Sequence, residues 1–459
     1  MKRTSLLLAV AVLVTGACDF DIADPNNPGQ LGPNPSRSAV QAAVAGILLA
    51  ARSDAADWNL DAGIMGREAY RFDGSDPRFT AELLTGPLDP GGGAFGGDHW
   101  SEHYGTIRTT DDLLNVIGTA TALTAQEQSG TQGFAETMRA YAFLMVLKSH
   151  TDNPAHVGDS IPLDVNQPLT APPAPLVRND SAYTFVSALL DSASNHLAAG
   201  GGTFPFSLPA GFAGFETPAT FRQVNRALKA AVEVYRGSLG CGATCYTAAK
   251  TILETPGATF IDTTGAGTLA IGAFFNYSTN PGDAVNPLFQ NPQTGENYVH
   301  PSLRDSVEAK PTSVNDDRYT AKVVSRPAAT TSGLTSDLGW LRYPTASSLV
   351  PIIRNEELIL LRAEANNALT LPVLAANDIN YIRVRSGGLA AIAGLGAQTQ
   401  AQILDELLRQ RKYSLLYEGH RWFDMRRTGN LARILIDRVG DQRFSTLPVP
   451  LSERQARLP

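Results

Sequence analysis

The chain has 459 residues, 43% of them hydrophobic and 18% charged, which excludes a disordered polymer and is enough for a large core or for two subdomains. Its formal net charge is −7, with Lys and Arg scattered and no basic stripe, which excludes a nucleic-acid partner held by a cationic patch.

Lys2 and Arg3 precede an apolar run, Leu6 to Val14, that has signal-peptide length and is too short to span a bilayer. LVTGAC closes it and resembles a bacterial lipobox, so residues 1–17 are read as a signal peptide and Cys18 as the lipidated residue. Several acyl chains on one Cys anchor firmly, where a single chain binds only marginally. Residues 18–35 are acidic and rich in Pro and Asn, without periodicity, and read as a tether.

The spacing of Val40, Val44, Ile47 and Leu48 predicts a helix over 36–57. Residues 58–98 read as irregular and Gly-rich. Helical patterns return at 99–119, 132–150, 180–199 and 218–238. Trp100 with Tyr104, and Ala140 with Tyr141, resemble the small-and-aromatic packing of tetratricopeptide helix pairs, without a strict repeat.

His99-Trp100-Ser101-Glu102-His103 is an H-x-x-E-H run, which on a helix puts two His on one face for zinc, with Glu102 as general base. A zinc hydrolase would need a third ligand from another helix, and Glu136 is one candidate without a motif around it. In the alternative, His99 and His103 face solvent while Trp100 and Tyr104 pack inward. That alternative is preferred, so no metal, no cofactor and no catalysis are expected. The Gly-rich run 86–97 lacks the G-K-[ST] ending of a P-loop.

Cys241 and Cys245 sit four apart between glycines. One turn of helix would oppose a bridge, whereas a loop would allow a small local disulfide, which is the expectation. Residues 255–348 are rich in Gly, Pro, Asn and Thr, with scattered aromatics. A segment of this length is rarely an idle connection, and loops on a rigid scaffold carry binding residues. Within it Trp340 and Tyr343, with Arg342 between them, are the candidate ligand contacts. Trp58 is the next.

From 349 the pattern is helical again. LVPIIRNEELILLRAEANNAL places Leu358, Leu361, Ala365 and Ala368 at helical spacing, with Pro351 suited to a first turn and Pro372 as a stop. Ile379, Ile382 and Arg383 share a face of a second helix ending at Gly387-Gly388. A third carries Ile403, Leu407, Leu408 and Leu415 inward and Arg409, Arg411 and Lys412 outward. Glu364, on an apolar face, needs a cationic partner, and Arg383 and Arg385 are expected to supply it. Glu418, His420, Arg421 and Asp424 read as a packing and charge network.

IIRNEELILLRAEA, DINYIRVRSGGL and LLYEGHRWFDMRRTG, in this order, resemble the C-terminal half of the SusD/RagB family. The chain departs from the family at Gln410 and Ser414, where acidic residues are usual and an ion pair is therefore expected to be missing. The resemblance implies a mainly α fold, a tetratricopeptide-like scaffold of helix pairs with long loop-rich insertions. One domain would span 36–459, made of a helical half (36–254), a ligand-facing region (255–348) and a helical block (349–459). It further implies an outer-membrane lipoprotein that binds an oligosaccharide or peptide and serves a SusC-like TonB-dependent transporter. Asp19, Asp21 and Asp24 resemble the acidic residues that direct such lipoproteins to the cell surface.

Overall fold

A computed structural model describes residues 31–150, 160–168, 170–312 and 314–457. Cys18 and the tether up to residue 30 lie outside the described residues. The predicted first helix is two: α1 (Arg37–Ser53) and α2 (Ala55–Met65), meeting at Asp54, whose carboxylate is buried. The Ser36 hydroxyl caps α1 by accepting from the Ala39 amide at 3.2 Å. α2 is buried on nearly every side and runs well into the stretch read as irregular.

After β1 (Ala69–Arg71) come five long helices, α3 (His99–Ile117), α4 (Ala125–His150), α5 (Asn179–Ala198), α6 (Pro218–Arg236) and α7 (Ala243–Glu254). Each packs against the next, as the helix-pair scaffold requires. α4 starts seven residues earlier than its apolar pattern, because Thr124 and Glu127 form a reciprocal cap, the Glu127 amide donating to Thr124 Oγ1 at 3.2 Å and the Thr124 amide to Glu127 Oε2 at 2.9 Å. Gly133 lets α4 approach α5 closely, since a Cβ there would collide with Ala193 O and Leu197. A short two-stranded sheet pairs β2 (Ser160–Pro162) with β3 (Leu176–Arg178).

The loop-rich region carries more sheet than its composition suggests. β4 (Gly272–Phe275) lies later beside β8 (Val350–Arg354), while β1, β5 (Asn297–Val299), β7 (Leu334–Trp340) and β6 (Val323–Thr331) form a four-stranded sheet in that order. The β6–β7 hairpin turns at Ser332-Gly333, both with positive φ. Pro351 is in β8 opposite Phe274 and not in a first helical turn, because Val350, Ile352 and Ile353 favour the strand beside it. The helix before Pro372 ends at Ala368, as expected, and Pro372 itself opens the next helix at its first position.

The C-terminal block is α8 (Asn355–Ala368), α9 (Pro372–Arg385), α10 (Gln400–Ser414) and α11 (Arg421–Arg427). α8 is buried all round. Leu358, Leu361 and Ala365 join the main core, and Ile359, Leu360 and Ala363 join a second core with Ile379, Ile382, Ile403 and Leu407. Glu364 is paired, but with Arg427 (Nη2–Oε2 2.8 Å) and not with Arg383 or Arg385. Arg383 serves Glu308 (2.9 Å) and Glu406 (2.7 Å), and Arg385 is exposed. Arg411 points inward to Asp424 (2.7 Å) while Arg409 stays outside, so one cation of the three was placed on the wrong face. Gln410 donates to Glu406 (2.6 Å), and Ser414 accepts from Arg318 (3.0 Å), where the resemblance leads one to expect carboxylates.

Candidate ligand-binding site

β1 runs antiparallel to β5, with Tyr70 opposite Tyr298 and Arg71 opposite Asn297. Alternate strand positions share a face, so Tyr70 and Phe72 stack, centroids 5.6 Å apart, and Phe72 also meets Tyr298 at 4.7 Å. Behind them the Arg326 guanidinium lies 3.7 Å over Tyr298 and donates to the carbonyls of Gln293 (3.0 Å) and Gly295 (2.9 Å), which fixes the loop before β5. Arg71 lies over Phe79 at 4.7 Å and reaches Asp73 (2.9 Å) and Glu296 (3.2 Å). Phe79 meets Phe95 edge-on at 5.1 Å. The Ser75 hydroxyl first, and Arg71 next, hold the Asp73 carboxyl well below the usual carboxylate range.

The product is a ledge. Phe72 is half-buried on buried Tyr70 and Tyr298, Phe79 is half-buried against buried Phe95 with Arg71 over it and Arg78 over Phe95, and the partly exposed Arg71 links the two groups and reaches Glu296. Ring faces bind apolar faces of a ligand, and fixed guanidinium and carboxylate groups orient its hydroxyls.

A larger cleft, about 850 Å³, opens between α3, residues 162–174 and the C-terminal residues 450–457. Several of its groups are already engaged. The Trp100 ring is buried against Tyr104 (5.0 Å) and His150 (5.1 Å), the Tyr104 hydroxyl donates to Pro162 O (2.8 Å), and Arg457 donates to Glu453 (3.0 Å). The ledge leaves two phenylalanine rings half-open, whereas the Trp100 ring of the cleft is buried, and on that ground the ledge is taken as the candidate site.

The residues singled out in the sequence lie elsewhere. Trp340 is 7% exposed and stacks on Tyr417 at 4.1 Å. Tyr343 is 3% exposed, accepting from Asn59 (3.1 Å) and donating to Tyr417 O (3.0 Å). Trp58, 3% exposed, packs on His99 and Trp422. All three are core side chains: Trp58 lies on the buried α2, Trp340 ends β7, and Tyr343 follows in a segment that folds back onto the helices. Arg342 is held by Glu418 (2.9 Å) beneath the same surface. A disulfide joins Cys241, just before α7, to Cys245 in the first turn of α7.

His99 and His103 are buried, contrary to the exposed face expected of them. His99 Nδ1 is 2.6 Å from Asp54 and its Nε2 3.1 Å from Asp61; His103 Nε2 is 2.9 Å from the other Asp54 oxygen, off the hydrogen-bond direction. Both His99 nitrogens thus face carboxylates. Glu102 accepts from Ser53 (2.7 Å), and Glu136 from His196 (2.8 Å). Among the described residues no group of three or more His, Cys, Asp or Glu side chains is placed to hold a metal ion. Burial opposes charge on His99, but Asp54 and then Asp61 outweigh it and raise its pKa well above the usual value.

The ledge residues were missed inside the stretch read as irregular. The signal was there: two Arg-Phe pairs, 71–72 and 78–79, separated by Asp-Gly and Asp-Pro turn pairs.

Residues 335–443 match the model of the SusD family. A SusD-like protein P38 of Formosa agariphila is 31% identical over 91 residues, a match spanning only 18% of each chain. Over the whole fold, a SusD superfamily protein from Bacteroides vulgatus matches with a TM-score of 0.68 at 15% identity, covering 93% of this chain and 98% of the other. A surface glycan-binding protein A from Bacteroides thetaiotaomicron, solved in complex with laminarihexaose, matches with a TM-score of 0.66 at 16% identity, covering 91% and 97%.

Proposed function

From a chain whose residues 335–443 match the model of the SusD family and whose fold is like that of SusD superfamily proteins, we propose a binding protein that captures a glycan on the ledge around Phe72 and Phe79. The observation that carries this reading is the pair of half-open phenylalanine faces flanked by Arg71, Arg78 and Glu296, a surface suited to a sugar's C–H face and its ring of hydroxyls. The laminarihexaose bound by a structural relative favours a glycan over a peptide. In this reading Cys18 carries the lipid anchor, the protein sits on the outer membrane, and the captured glycan passes to a SusC-like TonB-dependent transporter. No chemistry is performed on the ligand.

Affinity electrophoresis against laminarin and a panel of other polysaccharides tests it, with Phe72→Ala, Phe79→Ala and Trp100→Ala beside the parent. Each ledge ring contributes about 0.5–1.5 kcal/mol beyond burial, so each ledge variant should bind roughly two- to tenfold more weakly. Retardation lost in a Trp100→Ala protein whose melting curve shows it still folded, but kept in both ledge variants, would move the site to the large cleft.

A further inference from the structure

The two ring groups of the ledge come from segments too short to hold themselves. Phe79 ends a single 3-10 turn, Pro77–Phe79, and Phe72 lies just past the three-residue strand β1. One turn of helix fixes several dihedrals for one hydrogen bond and has little stability of its own. What pins both groups arrives from the far end of the chain, in two neighbouring residues beyond α11. Asp437 accepts from His300 Nε2 at 3.0 Å and forms an ion pair with Arg67 at 3.0 Å. The His300 ring lies 4.8 Å from Tyr70, the ring on which Phe72 stacks.

Arg438 serves the other group. Its Nη2 donates to the carbonyl of Thr80, the residue after Phe79, and its Nη1 to the carbonyl of Ser332 in the β6–β7 turn. Thr80 is 2% exposed, so water is a poor substitute for that donor. The Nε donates to the buried Asp441 at 2.8 Å, which neutralises the guanidinium and makes it a clamp on backbone more than a charge for a ligand. A planar fork reaches two carbonyls and a carboxylate at once, which an ammonium cannot copy. On the reading that the ledge is the site, we propose that Arg438 is a positioning residue. By tying Thr80 to the β6–β7 turn it holds the Phe79 ring against Phe95 and under Arg71, where its open side can meet the ligand. Phe72 is held separately, through Asp437 and His300, so Arg438 acts on affinity through Phe79.

A double-mutant cycle in affinity electrophoresis against laminarin, starch and xylan tests it on the full chain, with melting curves alongside. On the glycan that retains the parent most, Arg438→Gln should weaken binding about two- to tenfold, up to the effect of Phe79→Ala. In a Phe79→Ala background the same change should cost less than about twofold, whereas in a Phe72→Ala background it should keep its full factor. A merely structural loss would weaken binding by the same factor whether or not Phe79 is present. Arg438→Lys keeps the charge beside Asp441 without the forked grip, and carries the same cycle if Arg438→Gln does not fold. The positioning role is overturned, with the ledge left standing, by unchanged binding in the folded Arg438 variant, by an equal factor in both backgrounds, or by loss of fold in both Arg438 variants. Unchanged binding in Phe79→Ala alone also overturns it and leaves only the Phe72 side of the ledge. Retention of the parent on none of the three glycans, or parental binding in both Phe72→Ala and Phe79→Ala, overturns the ledge and the positioning role together.

Discussion

Trp340 lies nearly parallel to Tyr417, and Tyr343 bridges Asn59 to the Tyr417 carbonyl, so these rings hold the hairpin onto the helices. Trp340→Ala should cost about 3–5 kcal/mol in chemical denaturation and leave the glycan affinity of the folded protein unchanged. A fall in affinity without loss of stability would return Trp340 to the site. The Asp54–His99 pair makes a pH prediction. His99 has a raised folded pKa, so its stabilisation is full below its unfolded value and is lost as pH rises through the folded one. Asp54 is shifted down by His99 and His103 against burial, so its share is present above the ordinary carboxylate pKa and is lost in acid. The stability gap between parent and His99→Gln should therefore be wider near about pH 6 than at strongly alkaline pH. A gap that widens with rising pH would refute the charged-pair assignment. The ionic role of Glu364 could be foreseen from its apolar helical face, whereas the identity of its partner could not, because Arg427 arrives from a different helix.

At the scale of elements, what the sequence made legible was periodicity. α3, α5 and α6 fall within about two residues of the 3.6-residue pattern, and the three C-terminal blocks lie on the end of β8 with α8, on α9, and on α11 with the turn before it. Short strands were not legible, because three residues of β1 or β5 carry too little alternation, and β8 was absorbed into the helical pattern behind it. The site shared this fate: the ledge depends on a pairing of strands more than two hundred residues apart. The Glu364–Arg427 pair ties α8 to α11 with both side chains buried. Arg427→Met should cost about 3–5 kcal/mol because it strands a buried carboxylate, and Glu364→Gln with Arg427→Met should recover part of that loss in the same denaturation assay. Breaking the Cys241–Cys245 bridge by double replacement with Ser should cost about 2 kcal/mol, the loop-closure value for so short a ring.

For the whole molecule, the lipobox reading predicts that Cys18→Ser moves the protein out of the membrane fraction with its fold intact. Equal partitioning of variant and parent would mean another anchor. The placement of α8 bears on how the chain comes to be folded at all. Its two sides are claimed by partners made before it and after it: Leu358 and Leu361 by the core that the earlier helices share, and Ile359 and Leu360 by Ile403 and Leu407. Farther on, the Leu447 amide donates to Ser149 O at 2.9 Å and the Gln442 amide to Leu84 O at 2.6 Å, so the tail closes over segments that emerged first. A chain growing or threading N-terminus first cannot finish its interior until nearly its last residues are delivered. A chain released before residues 442–447 are made would leave the carbonyls of Leu84 and Ser149 without these partners, so misassembly competes with folding until that segment arrives.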